Sequence, residues 1–346
     1  MMSGQSLNAV GYSLYLIRAI GVGSFGEVWE VKASQTCVCA FNTSSSSSNN
    51  NSSGGSSSSS SSSSSYDSNF ASANITSTAS PSTSPLVCSC GFSSPDGTRT
   101  MALKRMACCN QILLTKARFE AEILQGLSHP SVIGCVASWE EGVSHYALME
   151  FCECPLASLI ETGVPFSEEC IWAIVCQALC GLAHIHAQGV IHGDIKCENI
   201  LVQNKDSKHG GILIIKIADF GESVKIGETL GAGENHSLGG TPANFSPERI
   251  EGGNKSVEGD LWALGCVFYE LASLKHPFAD KGLGKTIAAI QGSLLSPLPS
   301  TLSSDLCDLL RSMLSPNLMD RPILAEILGG SVVQTKLGQL GAHLDE

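Results

Sequence analysis

Apolar positions in the first part of the chain come in short runs closed by glycines and polar residues. Residues 14–20 form such a run, with strand character. A glycine cluster follows, and Val28, Trp29 and Val31 then predict a second strand. Met101-Ala102-Leu103 and Tyr146-Ala147-Leu148-Met149 predict two more. Helices are expected over about 115–127 and over about 167–188. No run of 18 uncharged apolar residues occurs, so the pattern predicts no membrane span. Between the second and third strands the pattern disappears. Residues 33–95 hold one charged side chain, Asp67, and an unbroken serine run fills 56–65. Such a tract has too little apolar surface to offset its ordering entropy. Residues 42–86 are therefore expected to be a disordered Ser/Asn-rich insert. Setting the insert aside leaves about 300 residues, enough for one continuous fold of two lobes.

Composition narrows the function classes. The net charge is −12, which argues against a nucleic-acid groove, because phosphate backbones recruit Lys and Arg. No charged residue precedes Arg18, and Gly4, Gln5 and Asn8 interrupt the N-terminus, a poor pattern for secretion. The 15 cysteines then read as reduced thiols of a cytoplasmic or nuclear protein. Cys37 and Cys39 precede the insert, and Cys88 and Cys90 follow it. On strands each pair would share a face, so four thiolates could hold zinc. The plainer reading is small apolar strand residues. The nine histidines form no metal-ligand cluster.

Chemistry-bearing motifs appear in a fixed order. Gly21-Val22-Gly23-Ser24-Phe25-Gly26-Glu27-Val28 is a G-x-G-x-x-G-x-V. A dinucleotide-binding fold would continue it as a helix; here a strand follows. Strand, glycine loop, strand is the arrangement that lies over nucleotide phosphates, and an ordinary glycine hairpin is the alternative. Met101-Ala102-Leu103-Lys104 places a lysine in an apolar strand, where it needs an acidic partner. Glu120 lies nine residues before His129-Pro130; Glu122, the runner-up, would project about 200° away and be solvated. Val190-Ile191-His192-Gly193-Asp194-Ile195-Lys196-Cys197-Glu198-Asn199 follows the long helix, and Ala218-Asp219-Phe220-Gly221 lies 25 residues past Asp194. Gly240-Thr241-Pro242, Ser246-Pro247-Glu248, Asp260-Leu261-Trp262 and Asp320-Arg321-Pro322 come after.

In this order the motifs resemble those of eukaryotic protein kinases over residues 12–328. The resemblance implies an α+β, two-lobe fold. The small β-rich lobe would span about 12–150 and the larger helical lobe about 151–328, with 329–346 as a C-terminal tail. It also implies ATP, Mg2+ and a protein substrate, with transfer to Ser or Thr, since Lys196 and Thr241 match serine/threonine kinases. Asp194 would be the catalytic base, Lys196 would neutralise charge near the γ-phosphate, and Asn199 and Asp219 would hold magnesium. Gly21, Val22, Gly23, Ser24, Phe25, Gly26, Val28 and Ala102 would enclose the nucleotide, and Lys104, paired with Glu120, would contact its phosphates. Met149 would be the gatekeeper, and Glu150 and Cys152 belong to the adenine-binding hinge. Glu248 and Arg321 would pair, Asp260 would brace the catalytic-loop backbone, and His192 would be a bracing residue. Met149-Glu150-Phe151-Cys152, residues 262–278 and the spaced residues of 290–322 are similar to NIMA-related kinases. Coiled-coil heptads are not expected in the short stretch after Leu328.

Gly193 departs from the family pattern, which has arginine there to grip a phosphorylated activation loop. Lys225 would replace it in part, and weak dependence on phosphorylation at Thr229, Ser237 or Thr241 is the expectation. Thr241 reads as structural rather than as an acceptor. Gly193 and the insert also support a catalytically weak pseudokinase scaffold as the alternative; the complete set of charged residues opposes it. Glu198 and Glu270 lie where a basic substrate residue would be read, whereas the subfamily resemblance points to an apolar residue.

Overall fold

The fold is described from a computed structural model, over residues 6–9, 11–23, 26–35, 97–203, 213–227, 239–278, 282–292 and 295–345. The insert at 42–86 and its four flanking cysteines lie outside these residues, as do Ser24, Phe25, Thr229 and Ser237.

Strands β1 (Ser6–Ala9), β2 (Tyr12–Gly23), β3 (Gly26–Gln35), β4 (Thr98–Ala107), β5 (Cys135–Glu141) and β6 (Ser144–Glu150) make one antiparallel sheet in the order β1-β2-β3-β4-β6-β5. Alternation sets its inner face: Leu14, Leu16, Val31 and Ala33 are buried, while Tyr15 and Lys32 face out. β1 lies ahead of the expected start at residue 12 and pairs antiparallel with β2, Leu7 opposite Leu14. Helix α1 (Gln111–Gly126) packs on this sheet, its start fixed by Asn110, whose Oδ1 accepts the Leu113 N–H at 2.9 Å. It begins four residues before the periodicity suggested, because Ile112 and Leu113 in its first turn are exposed.

The helical half is built around two apolar helices. Short elements β7 (Cys154–Pro155) and α2 (Leu156–Glu161) lead into α3 (Glu168–Ala187). Ser167 caps α3, Glu168 and Glu169 sit in its first turn, and His184 and His186 sit in its last, all favourable to the helix dipole. By length and composition α3 could cross a membrane; 67% of its apolar window is buried inside the molecule. Four short strands follow, β8 (Val190–Ile191), β9 (Ile200–Gln203), β10 (Ile214–Ile217) and β11 (Val224–Lys225). The chain then runs through α4 (Pro247–Ile250), α5 (Val257–Ser273), α6 (Leu283–Gln291), α7 (Ser304–Met313), α8 (Leu324–Gly329) and α9 (Ser331–Asp345). α5 is apolar almost all round, with Leu261, Trp262, Leu264, Val267 and Phe268 at 2% exposure or less. Most of the stretch expected as a tail is α9, which packs on α3 and buries Val333 and Leu340.

The two halves are tied by backbone. Ile217 of β10 donates to Ser131 O at 2.8 Å and accepts from Ile133 N at 2.9 Å. This fastening places the residues after β10 beneath α1.

Candidate active site

Lys104 lies in the middle of β4 with 7% of its surface exposed. A buried ammonium is costly unless paired. Glu120 of α1 reaches it at 2.6 Å and Asp219, two residues past β10, at 3.1 Å. Burial alone would lower the lysine; Glu120 and Asp219 outweigh it, and the ammonium is held above its ordinary value. For Asp219, burial acts to raise the carboxyl, but Lys104 prevails and holds it below the usual range. Asp219 has a φ of 66°, a left-handed conformation seldom taken by a residue with a side chain. The bond from Ala218 N to Asn199 O, at 2.8 Å, and the packing of buried Phe220 on His192 hold it there. Glu122 is exposed, as expected, yet pairs with Lys225 at 2.8 Å.

A second cluster stands on the loop between β8 and β9. Asp194, 7% exposed, takes Lys196 Nζ on Oδ2 at 2.8 Å and the Thr241 hydroxyl on Oδ1 at 2.9 Å. Lys196 also donates to Thr241 Oγ1 at 3.0 Å. The Asn199 amide donates to Asp194 O at 2.8 Å and to Asp194 Oδ2 at 3.1 Å. Asp260, at the start of α5, accepts the N–H groups of His192 and Gly193, each at 2.8 Å, and meets His186 Nε2 at 2.9 Å. A buried carboxylate that takes two backbone donors fixes the loop against a rigid helix. His192 is fully buried, contacts Ala218 O at 3.1 Å, and is held below its ordinary value by burial.

Strand register positions the rest. Val28 lies opposite Lys104, and Ala102 opposite Met149. Gly23 pairs with Gly26, closing the hairpin of β2 and β3 beside β4. Gly26 approaches so closely that a Cβ there would lie 2.1 Å from Arg105 O. Gly21 is exposed at the hairpin; the side chain of Val22 lies outside the described residues. The Glu150 carboxylate accepts Gly134 N at 2.6 Å and pairs with Lys216 at 2.9 Å, so it is a strut, and its own N–H donates to Gly134 O at 2.9 Å. Cys152 is buried, which pushes its thiol up to about 12. Arg321 grips Glu248 in a fork, at 2.8 and 3.1 Å, and lies over the Trp262 ring. Glu270 accepts the Cys197 thiol at 3.3 Å and is half-buried, whereas Glu198 is exposed.

The donor set suits a hard divalent cation. Asn199 commits its amide N–H groups to Asp194, which leaves Oδ1 as an oxygen donor, and Asp219 brings an ionised carboxylate. Among the described residues no cluster of three or more His, Cys, Asp and Glu side chains has the arrangement of a further metal site, and the cysteines are free thiols.

Sequence reasoning placed Thr241 as structural, and it proves to bridge Asp194 and Lys196. Lys255 and Glu222 were missed altogether. They pair at 2.9 Å beside Gly193, and neither belongs to a motif whose spacing would flag it.

Comparison with known families decides what this arrangement belongs to. The family described as "Protein kinase domain" matches residues 92–332. The chain belongs to the protein kinase domain family. The match begins after the insert, so the glycine hairpin lies ahead of it and is joined to the domain by the pairing of β3 with β4. Serine/threonine-protein kinase Nek5 of Mus musculus is 30% identical over 236 residues, 66% of this chain and 36% of the relative. Serine/threonine-protein kinase Nek8 of Danio rerio is 33% identical, over 62% of this chain and 30% of the relative. Mitogen-activated protein kinase kinase kinase ANP1 of Arabidopsis thaliana is 35% identical, over 63% and 32%. The kinase domain thus has NIMA-related and other serine/threonine kinases among its relatives, and spans about a third of their length.

Proposed function

We propose that this kinase domain transfers the γ-phosphoryl group of ATP to serine or threonine hydroxyls of a protein, with magnesium bound. One observation carries the reading: Asp194, Lys196, Thr241 and Asn199 are hydrogen-bonded into one cluster, and the Lys104–Glu120–Asp219 trio is intact. Phosphoryl transfer asks little covalent chemistry of a protein beyond positioning and charge stabilisation, and these groups are what it requires. Magnesium held by Asn199 and Asp219 would neutralise charge on the transferring phosphates. Lys104, kept charged by two carboxylates, would bind the phosphates beneath the glycine hairpin. Asp194 would orient the substrate hydroxyl and accept its proton as oxygen bonds to phosphorus and the bond to the ADP oxygen breaks. Lys196, held between Asp194 and Thr241, would meet the charge of the transferred group. Exposed Glu198 is the carboxylate available to a basic substrate residue, while Glu270 is engaged by Cys197.

The test is phosphate transfer from γ-labelled ATP to a generic basic protein, followed by identification of the labelled residue. Label on Ser or Thr, lost in Asp194→Asn, supports the reading. Nucleotide binding without transfer to any of several proteins would replace it with the scaffold alternative.

A further inference from the structure

Gly193 stands where the family pattern has arginine, and the space beside it is already filled. Gly193 has a φ of 74°, and a Cβ on it would lie 2.7 Å from Lys255 Cδ and 2.8 Å from Glu222 O. The Lys255 stem therefore crosses directly over the glycine. Its Nζ donates to Glu222 O at 2.5 Å and to Glu222 Oε2 at 2.9 Å. Side-chain exposure is 12% for Lys255 and 11% for Glu222, so the pair is shielded from solvent and from salt.

The pair joins three pieces of the site. Glu222 lies three residues past Asp219, and the neighbouring Ser223 hydroxyl donates to His192 O at 3.1 Å. The Glu222 carboxylate also presses on the far end of the activation segment: a Cβ on Gly239 would lie 1.9 Å from its Oε2. Two residues on, Thr241 donates to Asp194. Lys255 comes from the turn before α5, one residue ahead of the Ser256 cap and five ahead of Asp260. One largely shielded ion pair thus clips both ends of the activation segment to the catalytic loop and to the rigid central helix. Arginine at 193 would supply a cation for a phosphate. Here the cation is Lys255, and Glu222 occupies it.

We propose that Lys255 and Glu222 are positioning residues that fasten the activation segment with a built-in carboxylate in place of a phosphate. The proposal rests on the phosphotransfer reading above. It also gives Gly193 a reason: only a residue without a side chain lets the lysine pass.

The experiment compares the phosphatase-treated chain with Glu222→Gln, Lys255→Met, Lys255→Arg and Thr229→Ala/Ser237→Ala, measuring kcat and the KM for ATP with one Ser-containing protein substrate. Nucleotide-induced thermal shifts report whether each variant is folded. The expected result is an active parent after phosphatase treatment and less than threefold change in Thr229→Ala/Ser237→Ala. Glu222→Gln and Lys255→Met should each lose at least tenfold in kcat with the KM for ATP within threefold, and Lys255→Arg should recover most of the loss. Should Lys255→Met fail to fold, Glu222→Gln, which keeps shape and removes charge, carries the decision. Parental activity abolished by phosphatase, or a Glu222→Gln variant as fast as the parent, overturns the proposal while leaving the phosphotransfer reading standing. A folded parent that binds nucleotide and transfers nothing, before or after phosphatase, overturns both.

Discussion

At the scale of single residues, the site depends on backbone conformations as much as on charges. Asp219 adopts its left-handed φ because the bonds before it and Phe220 after it leave no other course. Gly193 is left-handed too, and side-chain-bearing residues pay about 1–2 kcal/mol for that conformation. Gly193→Ala is therefore expected to lose at least that much, with further loss from the clash with Lys255, lowering Tm by several degrees in a thermal melt. Asp194→Asn keeps one oxygen to accept from Lys196 and Asn199, turns the contact with Thr241 into one in which the amide donates, and removes the base. Its kcat should fall by about 10²–10⁴-fold with KM for ATP little changed, as read from initial rates of labelled-phosphate transfer. Most of these residues were legible in the sequence, because resemblance to the ordered protein-kinase motifs points to Asp194, Lys196, Asn199, Asp219, Lys104 and Glu120. Lys255 and Glu222 were not. Their meeting depends on two chain segments 33 residues apart folding onto one glycine, which no local pattern records.

At the scale of elements, buried ion pairs decide how helices are held. Arg321, 1% exposed in its side chain, carries α4 through Glu248 and shields Trp262 of α5. Breaking a fully buried pair costs about 3–5 kcal/mol; here Glu248 is 27% exposed in its side chain and Arg321 keeps the Ser315 and Glu258 carbonyls, so the expected cost is about 3 kcal/mol or less. Glu248→Ala should lower unfolding free energy by roughly that amount in a denaturant titration, and should do so with or without nucleotide. The same elements show where periodicity misleads. The start of α1 was read too late because its first turn exposes Ile112 and Leu113, while its true marker is Asn110, a single capping residue. Strand β1 was missed because four residues of mixed polarity carry no period; pairing with β2 makes them a strand. The stretch after residue 328 has no strong helical signal of its own, because its helix is held by packing on α3 and α8.

At the scale of the whole molecule, two opposed pH effects bound the stable range. His276 is pushed down to about 4 by burial, and burial likewise lowers His192. Below about 6.5 the unfolded chain takes up protons that the folded chain refuses, so stability falls as pH drops from 6.5 toward 4. Asp219 acts in the same direction further down, since its lowered carboxyl contributes above its ordinary value of 3.8 and is lost as pH falls through the folded one. Lys104 acts at the other end. Its raised value contributes stability below 10.5 that is lost as pH rises through the folded value. Melting temperature should accordingly be flat near neutrality and fall by several degrees between pH 7 and pH 4.5, and His276→Gln should flatten that fall. A fall of equal size in His276→Gln would show that other groups cause it.

The charged residues gathered between the two lobes are proposed to move a phosphoryl group and not merely to bind nucleotide. The most direct measurement is transfer from γ-labelled ATP to a basic protein as magnesium is titrated, with Lys104→Met and Asp219→Asn beside the parent. Transfer that rises with magnesium in the parent, and falls at least about a hundredfold in both variants, is the predicted result. Nucleotide binding by a folded parent with no transfer at any magnesium concentration would contradict it.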